Sequence, residues 1–572
     1  MKFKKVVALL LTVAVMLTAM SMMCFSTSAV EVQSQINIPE GVSTYELNGV
    51  TYTVIRTAEE MNAAAAANTE GGMNYILADD IDYTGKSVHR IALYNGSFNG
   101  NGHSITGADL VMTEQSDHGF GLFASTIAGL NNGTLTITNL TVGAANKPVT
   151  VKTTVDSWAT NGTCRLGTLF GYIQGTVTLE NVTVYANVTG SPNYRTGGMI
   201  GEARGTMVMK NCVFNGKVTV DAANNNNCPV GGLIGHCYNM SSAIIENCAS
   251  YGEISYANGF AGGLIGGFTN TLTMTNCINY ATVTGMKCAG LIADAGERVS
   301  GKVTMSGCVN AGSVTGTTYA AGLIGTVSKH TNELYNNTLL TNCANIGSVT
   351  CDTKAADLVA TVYDGSKLAI VNCGAFGTVG AFEIYEIAKE ANDTTAVPTT
   401  TAKTAAEALT FMQTNCGFAM FGLEDGKVVA KTVPAEAKFL QYKMDAETNK
   451  MDIRVIGVIN TADLAKYANV GFNVSVYQAG ENGADSVLLK TFEPQTTTTV
   501  YSSVRANEGN TITEYSAADL GATYLYTLEL RSIPMTGSYV FKITAFATES
   551  DANSTVTTDA GITVTVVNGE IQ

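Results

Sequence analysis

The chain has 572 residues and is acidic, with a formal net charge of −15, although only 14% of its residues are charged. It has no basic cluster, and so no electrostatic footprint for nucleic acid or for an anionic membrane surface. With 59 glycines, 8 prolines and frequent Thr, Asn, Val and Ile, it reads as an all-β chain of strands and tight turns, long enough for two or more domains.

From the N-terminus, Lys2, Lys4 and Lys5 precede an apolar run from Val6 to Met23, and small residues follow at Thr27 and Ala29. This is the layout of a secretory signal peptide over residues 1–29. The run is short for a membrane anchor, and Ser26, Thr27 and Ser28 follow it at once. Cys24 stands where a lipidated cysteine would, but Ser21-Met22-Met23 lacks the small residue such a site needs. The expected mature chain begins near Val30 and carries −18, because the leader takes three lysines with it. It is expected to be secreted, extracellular or on the cell surface, with no membrane insertion after cleavage.

The region 30–390 is organised by repeats. One apolar column, aligned on the residue after a glycine pair, runs Leu122, Leu169, Met199, Leu233, Leu264, Leu291, Leu323 and Leu358. A second runs Leu140, Val182, Cys212, Cys248, Cys277, Cys308, Cys343 and Cys373, preceded by Asn everywhere except at Gly307. Four residues after each cysteine comes Gly216, Gly252, Ala281, Gly312, Gly347 or Gly377, and two further on Val218, Ile254, Val283, Val314, Val349 or Val379. Before the cysteine, pairs such as Leu272 and Met274, or Val303 and Met305, alternate with the period of two of a strand. Cys277 breaks that parity, so the chain turns a corner at Asn276, a residue type that tolerates the left-handed conformation. Three short strands per cycle, recurring in register, describe a parallel β-helix whose like residues stack in ladders about 4.8 Å apart.

The cysteines form an interior ladder of small, polarisable side chains. Neighbouring thiols point the same way, a poor geometry for a bridge, so they are expected to stay reduced, which suits a reducing or anoxic habitat and an anaerobic source. No C-x-x-C pair and no matching histidine accompanies them, so packing outweighs metal ligation.

The units "GGMIG", "GGLIG" and "AGLIG", each followed by an "N-C-x-x-x-G-x-V" segment, resemble the GLUG-motif repeats of secreted and surface β-helix proteins of bacteria. The opening segments "YTVIRTAEEMNAAAA", "NYILADDIDYTG", "YNGSFNGNGHSITG" and "GFGLFAS" are similar to the first coils of that group. The resemblance covers residues 50 to 380. It implies a right-handed β-helix outside the cell or on its surface and little about activity, since the group spans adhesins and protease-associated regions.

Beyond the repeats, residues 391–434 read as a Thr/Ala-rich linker, a short helix through Met412 and a cap that closes the strand edges of the last coil. Residues 435–572 hold alternating segments such as "MDIRVIGVI", "VGFNVSVYQ" and "SYVFKITAFAT", spaced as in an immunoglobulin-like β-sandwich. No cysteine follows Cys416, so no disulfide staples that sandwich.

The chemistry is sparse. The five histidines, His89, His103, His118, His236 and His330, form no H-E-x-x-H, so the zinc-protease activity of some GLUG-containing proteins does not carry over. No nucleophile elbow or phosphate loop is present. A polysaccharide depolymerase would show acidic residues in one column on successive coils. The column two before the cysteine reads Glu180, Lys210, Glu246, Thr275 and Ser306, an alternating-charge solvated face. Asp79, Asp80 and Asp82 form the best acidic cluster, read as turn caps or an incidental cation site. Trp158 is expected to plug an insertion, and Tyr251, Tyr280 and Phe376 to line one face of the solenoid. The polar segments 221–230 and 326–341 are the expected binding edge. No catalytic, cofactor-binding or metal-ligating residue is assigned. The sequence favours a non-catalytic binding or adhesion protein for glycans or host matrix proteins, with a glycan-degrading enzyme and a structural envelope component as alternatives.

Overall fold

In the computed structural model, the described residues comprise most of 36–387 and, from 404 onward, most of the chain to 571. The expected leader, His118, Trp158, His330, the linker to residue 403, and the central parts of both polar segments, 221–227 and 328–336, lie outside them. The chain divides into two compact units after Phe411, the first covering 29–411 and the second 412–572.

The first unit is a parallel β-helix. Its strands join one 35-stranded sheet in which each coil pairs in parallel with the next, except that Ile91–Ala92 and Phe123–Ala124 form a separate parallel pair; the hairpin of Thr44–Leu47 with Val50–Ile55 is antiparallel. The pairing keeps like residues in register. Met274 lies against Met305, Met305 against Leu340, and Leu340 against Ile370. The leucine column stacks as expected, with Leu233 N–H donating to Leu264, Leu264 to Leu291, Leu291 to Leu323 and Leu323 to Leu358 at 2.9–3.2 Å. All five are fully buried.

The corners follow from residue type. Asn139, Asn181, Asn211, Asn247, Asn276, Asn342 and Asn372 all have φ between 49° and 55°, and Gly307 has 62°. Seven coils can therefore use asparagine because its short amide tolerates the left-handed region and also bonds sideways. Asn181 Nδ2 donates to Asn139 Oδ1 at 3.0 Å, Asn211 to Asn181 at 2.9 Å and Asn372 to Asn342 at 2.7 Å. A second, fully buried amide ladder lies two residues after the cysteine. There Asn279 Nδ2 donates to Asn310 Oδ1 at 2.9 Å, and Asn310 to Asn345 at 2.7 Å.

That inner ladder explains the second glycine of the pair at Gly263, Gly290 and Gly322. A Cβ on Gly263 would lie 2.4 Å from the Asn279 amide carbon and 2.0 Å from the Gly290 carbonyl oxygen. On the last coil Asp357 takes the glycine's place, and its carboxylate ends the ladder by accepting from Asn345 Nδ2 and from Gly377 N–H.

The cysteine column is buried and free of disulfides among the described residues. Each thiol donates to the carbonyl two residues earlier, as Cys212 does to Lys210 at 3.3 Å and Cys277 to Thr275 at 3.3 Å. Burial pushes Cys212, Cys277 and Cys343 well above the usual thiol range. A buried thiol that is a committed donor is a poor nucleophile, because the thiolate is the reactive form. Thiol titration of non-reduced protein is therefore expected to be low in the folded state and to rise on denaturation; near-zero titre after denaturation would mean bridged cysteines.

Helices cover both ends of this solenoid. The first, α1 (Ala58–Ala67), is capped by Thr57, whose Oγ1 accepts from Glu60 N–H at 3.1 Å, and it buries Ala58 and Met61 in the core of the first coils. The second, α2 (Ala405–Thr414), starts with a reciprocal Thr404–Glu407 box and sets Phe411 edge-on against Phe376, 5.1 Å between centroids.

The second unit is an antiparallel β-sandwich. Ala435–Asp445, Lys450–Ile459 and Tyr524–Pro534 form one sheet, and Tyr467–Ala479, Ser538–Glu549 and Ile562–Val567 are central to the other. Met451, Ile453 and Val455 of the first pack with Val470, Phe472 and Ile543 of the second in a single core.

Candidate functional site

The glycine pair bends each coil so sharply that the strand entering the corner lies beside the strand leaving it. Residues four before the leucine column then face residues three after it. On the entering side Arg165 is in register with Arg195, and further along Phe260 with Lys287 and Lys287 with Tyr319. On the leaving side Tyr172 is in register with Glu202, Glu202 with His236, and Asp294 with Thr326.

Where the columns meet, Glu202 is completely buried and shared by three guanidiniums. Arg165 Nε donates to Oε2 at 2.5 Å, Arg195 Nη1 to the same oxygen, and Arg204 Nε to Oε1 at 2.6 Å. Tyrosine rings brace the cations. Arg165 lies 4.4 Å from the Tyr172 centroid, and Arg204 lies 5.4 Å from Tyr172 and 4.8 Å from Tyr238, whose ring also meets Arg195 at 5.1 Å. The Tyr172 hydroxyl donates to Gln174 Oε1.

Burial alone would raise the Glu202 pKa, but Arg195, Arg165 and Arg204 outweigh it and hold the carboxyl at about 2. Glu202 is therefore ionised and acceptor-only at neutral pH. Among the described residues the cluster holds three positive charges against one negative, and Arg195 Nε is buried with no hydrogen-bond partner. Such a site can receive an anion. Two coils before Arg165, Arg90 makes a separate cation–aromatic contact, 4.6 Å over the Phe120 ring.

The residues singled out in the sequence occupy other places. Asp79 pairs with Arg56 at 3.2 Å, Asp80 lies 3.6 Å from His103, and Asp82 pairs with Lys147 at 2.8 Å while accepting from Thr84 N–H across its own turn. They are turn caps and cross-coil pairs. Among the described residues no group of three His, Cys, Asp or Glu is placed to hold a metal. Glu180, Lys210 and Glu246 do form the alternating ladder, with Lys210 and Glu246 at 3.0 Å. Tyr251 and Tyr280 stack on each other at 4.6 Å and 12°.

Glu202, Arg165, Arg195, Arg204 and His236 were not singled out by sequence, because the acidic columns were read relative to the cysteine. Four before and three after the leucine column stand Arg165, Arg195, Glu202 and His236, whereas Arg204 lies five after Met199, at neither offset.

No family model matches the chain, and no curated protein matches it. Among solved structures, a Bacteroides ovatus protein named as a candidate immunoglobulin A1 protease is similar over 66% of this chain and 92% of that one, at 16% identity and a TM-score of 0.31.

Proposed function

We propose that this chain is a non-catalytic secreted or cell-surface protein, adhesive in role, whose β-helix is both a rigid stalk and a ligand face for glycans or matrix proteins. The observation that supports this reading is the state of Glu202. A carboxyl held at about 2 by guanidiniums has no proton to give near neutrality. The next acid in its column is Asp294, three coils on, or about 14 Å at 4.8 Å per coil. Paired glycosidase carboxylates stand about 5–9.5 Å apart.

Incubation with plant and host polysaccharides, assayed for reducing ends and unsaturated uronates, is expected to show no cleavage, while glycan or matrix-protein arrays retain the protein. Reproducible cleavage that disappears on replacing Glu202, Asp294 or any other single carboxylate would establish the depolymerase instead.

A further inference from the structure

We propose that the Arg195–Arg204 side of the cluster binds the carboxylate or sulfate of an acidic polysaccharide lying along the glycine corner. This rests on the binding reading above and names its ligand.

The first argument is charge balance. Among the described residues elsewhere in the β-helix, ion pairs are one to one, as in Lys86–Glu59, Lys147–Asp82 and Lys217–Glu253. At Glu202, among the described residues, three cations meet one anion, and their side chains are only 10%, 16% and 29% exposed for Arg165, Arg195 and Arg204. Positive charge withdrawn from water without a matching anion is costly, and an incoming carboxylate or sulfate relieves that cost. Arg195 Nε, buried and without a partner among the described residues, is a donor held for such a group.

The second argument is preorganisation. Arg204 sits between the rings of Tyr172 and Tyr238, and Arg195 lies against Tyr238. Stacked guanidiniums lose little freedom when they engage a planar anion through two parallel N–H groups.

The third is direction. Along the same corner, Lys287 Nζ lies 4.8 Å from the Phe260 ring centroid and 5.7 Å from that of Tyr319. Lys287 belongs to the Arg195 column, three coils further on, about 14 Å along the axis. Two cation–aromatic stations on one line suit a polymer with repeated negative charges better than a single small ion. The chain's net charge of −15 means that this attraction is local, at a positive patch on an otherwise anion-repelling protein.

The test is affinity electrophoresis of the full-length protein in polygalacturonate, dextran sulfate and dextran. Both acidic polymers are expected to retard it and dextran is not; retardation by polygalacturonate alone, or by dextran sulfate alone, supports the site and names the anion. Arg204→Gln is expected to raise the apparent Kd at least tenfold while the melting transition stays cooperative, and should Arg204→Gln fail to fold, Lys287→Gln is expected to weaken binding several-fold. Equal retardation by dextran, undiminished binding in both variants, or no retardation by either acidic polymer would overturn the site. Retention on neutral glycans alone would overturn the anion site yet leave a binding protein, whereas cleavage of the polymers during the run would overturn the binding reading itself.

Discussion

Replacing Leu264 by aspartate is expected to abolish cooperative folding of the β-helix. Leu264 is fully buried, its N–H donates to Leu291 at 3.1 Å, and its carbonyl accepts from Leu233 at 2.9 Å, so its side chain is enclosed by coils on both sides. The substitution removes a core leucine, worth about 2–5 kcal/mol, and inserts a carboxylate with no cation in reach, which adds several kcal/mol or forces protonation. A domain holds only about 5–15 kcal/mol in total. In a solenoid the damage also propagates, because each coil is stabilised by the interfaces with its neighbours. Thr273, exposed on the same coil, supplies the control: Thr273→Asp is expected to stay within about 0.5 kcal/mol of the parent. A Leu264→Asp protein that melts cooperatively within a few degrees of the parent by circular dichroism would contradict the ladder.

Glu202→Gln is expected to destabilise the same unit by about 3–5 kcal/mol, because breaking a buried ion pair leaves the partner charges uncompensated. The effect is pH-dependent. The folded pKa of Glu202, about 2, lies below the unfolded value of about 4.3, so the unfolded state binds the proton first as the pH falls. The contribution of Glu202, about 3 kcal/mol, is therefore complete above about pH 4.5 and is lost progressively toward pH 2. Urea unfolding of parent and Glu202→Gln proteins at pH 7 and pH 3 should show their stability gap shrink by about 2 kcal/mol at the lower pH. A gap that does not change with pH would mean that the carboxylate is not held by the three arginines as the structure places it.

The architecture was legible because a solenoid writes its contacts into the sequence as constant offsets. Leu233, Leu264, Leu291 and Leu323 recur at one point of each cycle, and Cys248, Cys277, Cys308 and Cys343 at another, so register in sequence becomes contact in space. Asn276 announced its corner through its residue type, and the tolerance of the left-handed region made that reading local. The buried ladder of Asn279, Asn310 and Asn345 was present at an equally constant offset. It passed unnoticed because asparagine reads as a surface residue until its amides are seen bonding to each other.

What the sequence determined alone was therefore everything that depends on one residue per coil and a fixed period: an all-β chain, the coil, its corners, its thiol ladder and a second region of alternating strands. The arginine cluster needed the tertiary structure. Arg195 and Glu202 lie seven residues apart, which a continuous strand would hold about 23 Å apart and on opposite faces. Arg165 and Glu202 are 37 residues apart on different coils. They meet because the glycine pair folds the entering strand against the leaving one and the coil rise sets adjacent turns in contact. Only that packing decided that Glu202 would be buried, that three guanidiniums would converge on it, and that its pKa would fall even though burial alone would raise it.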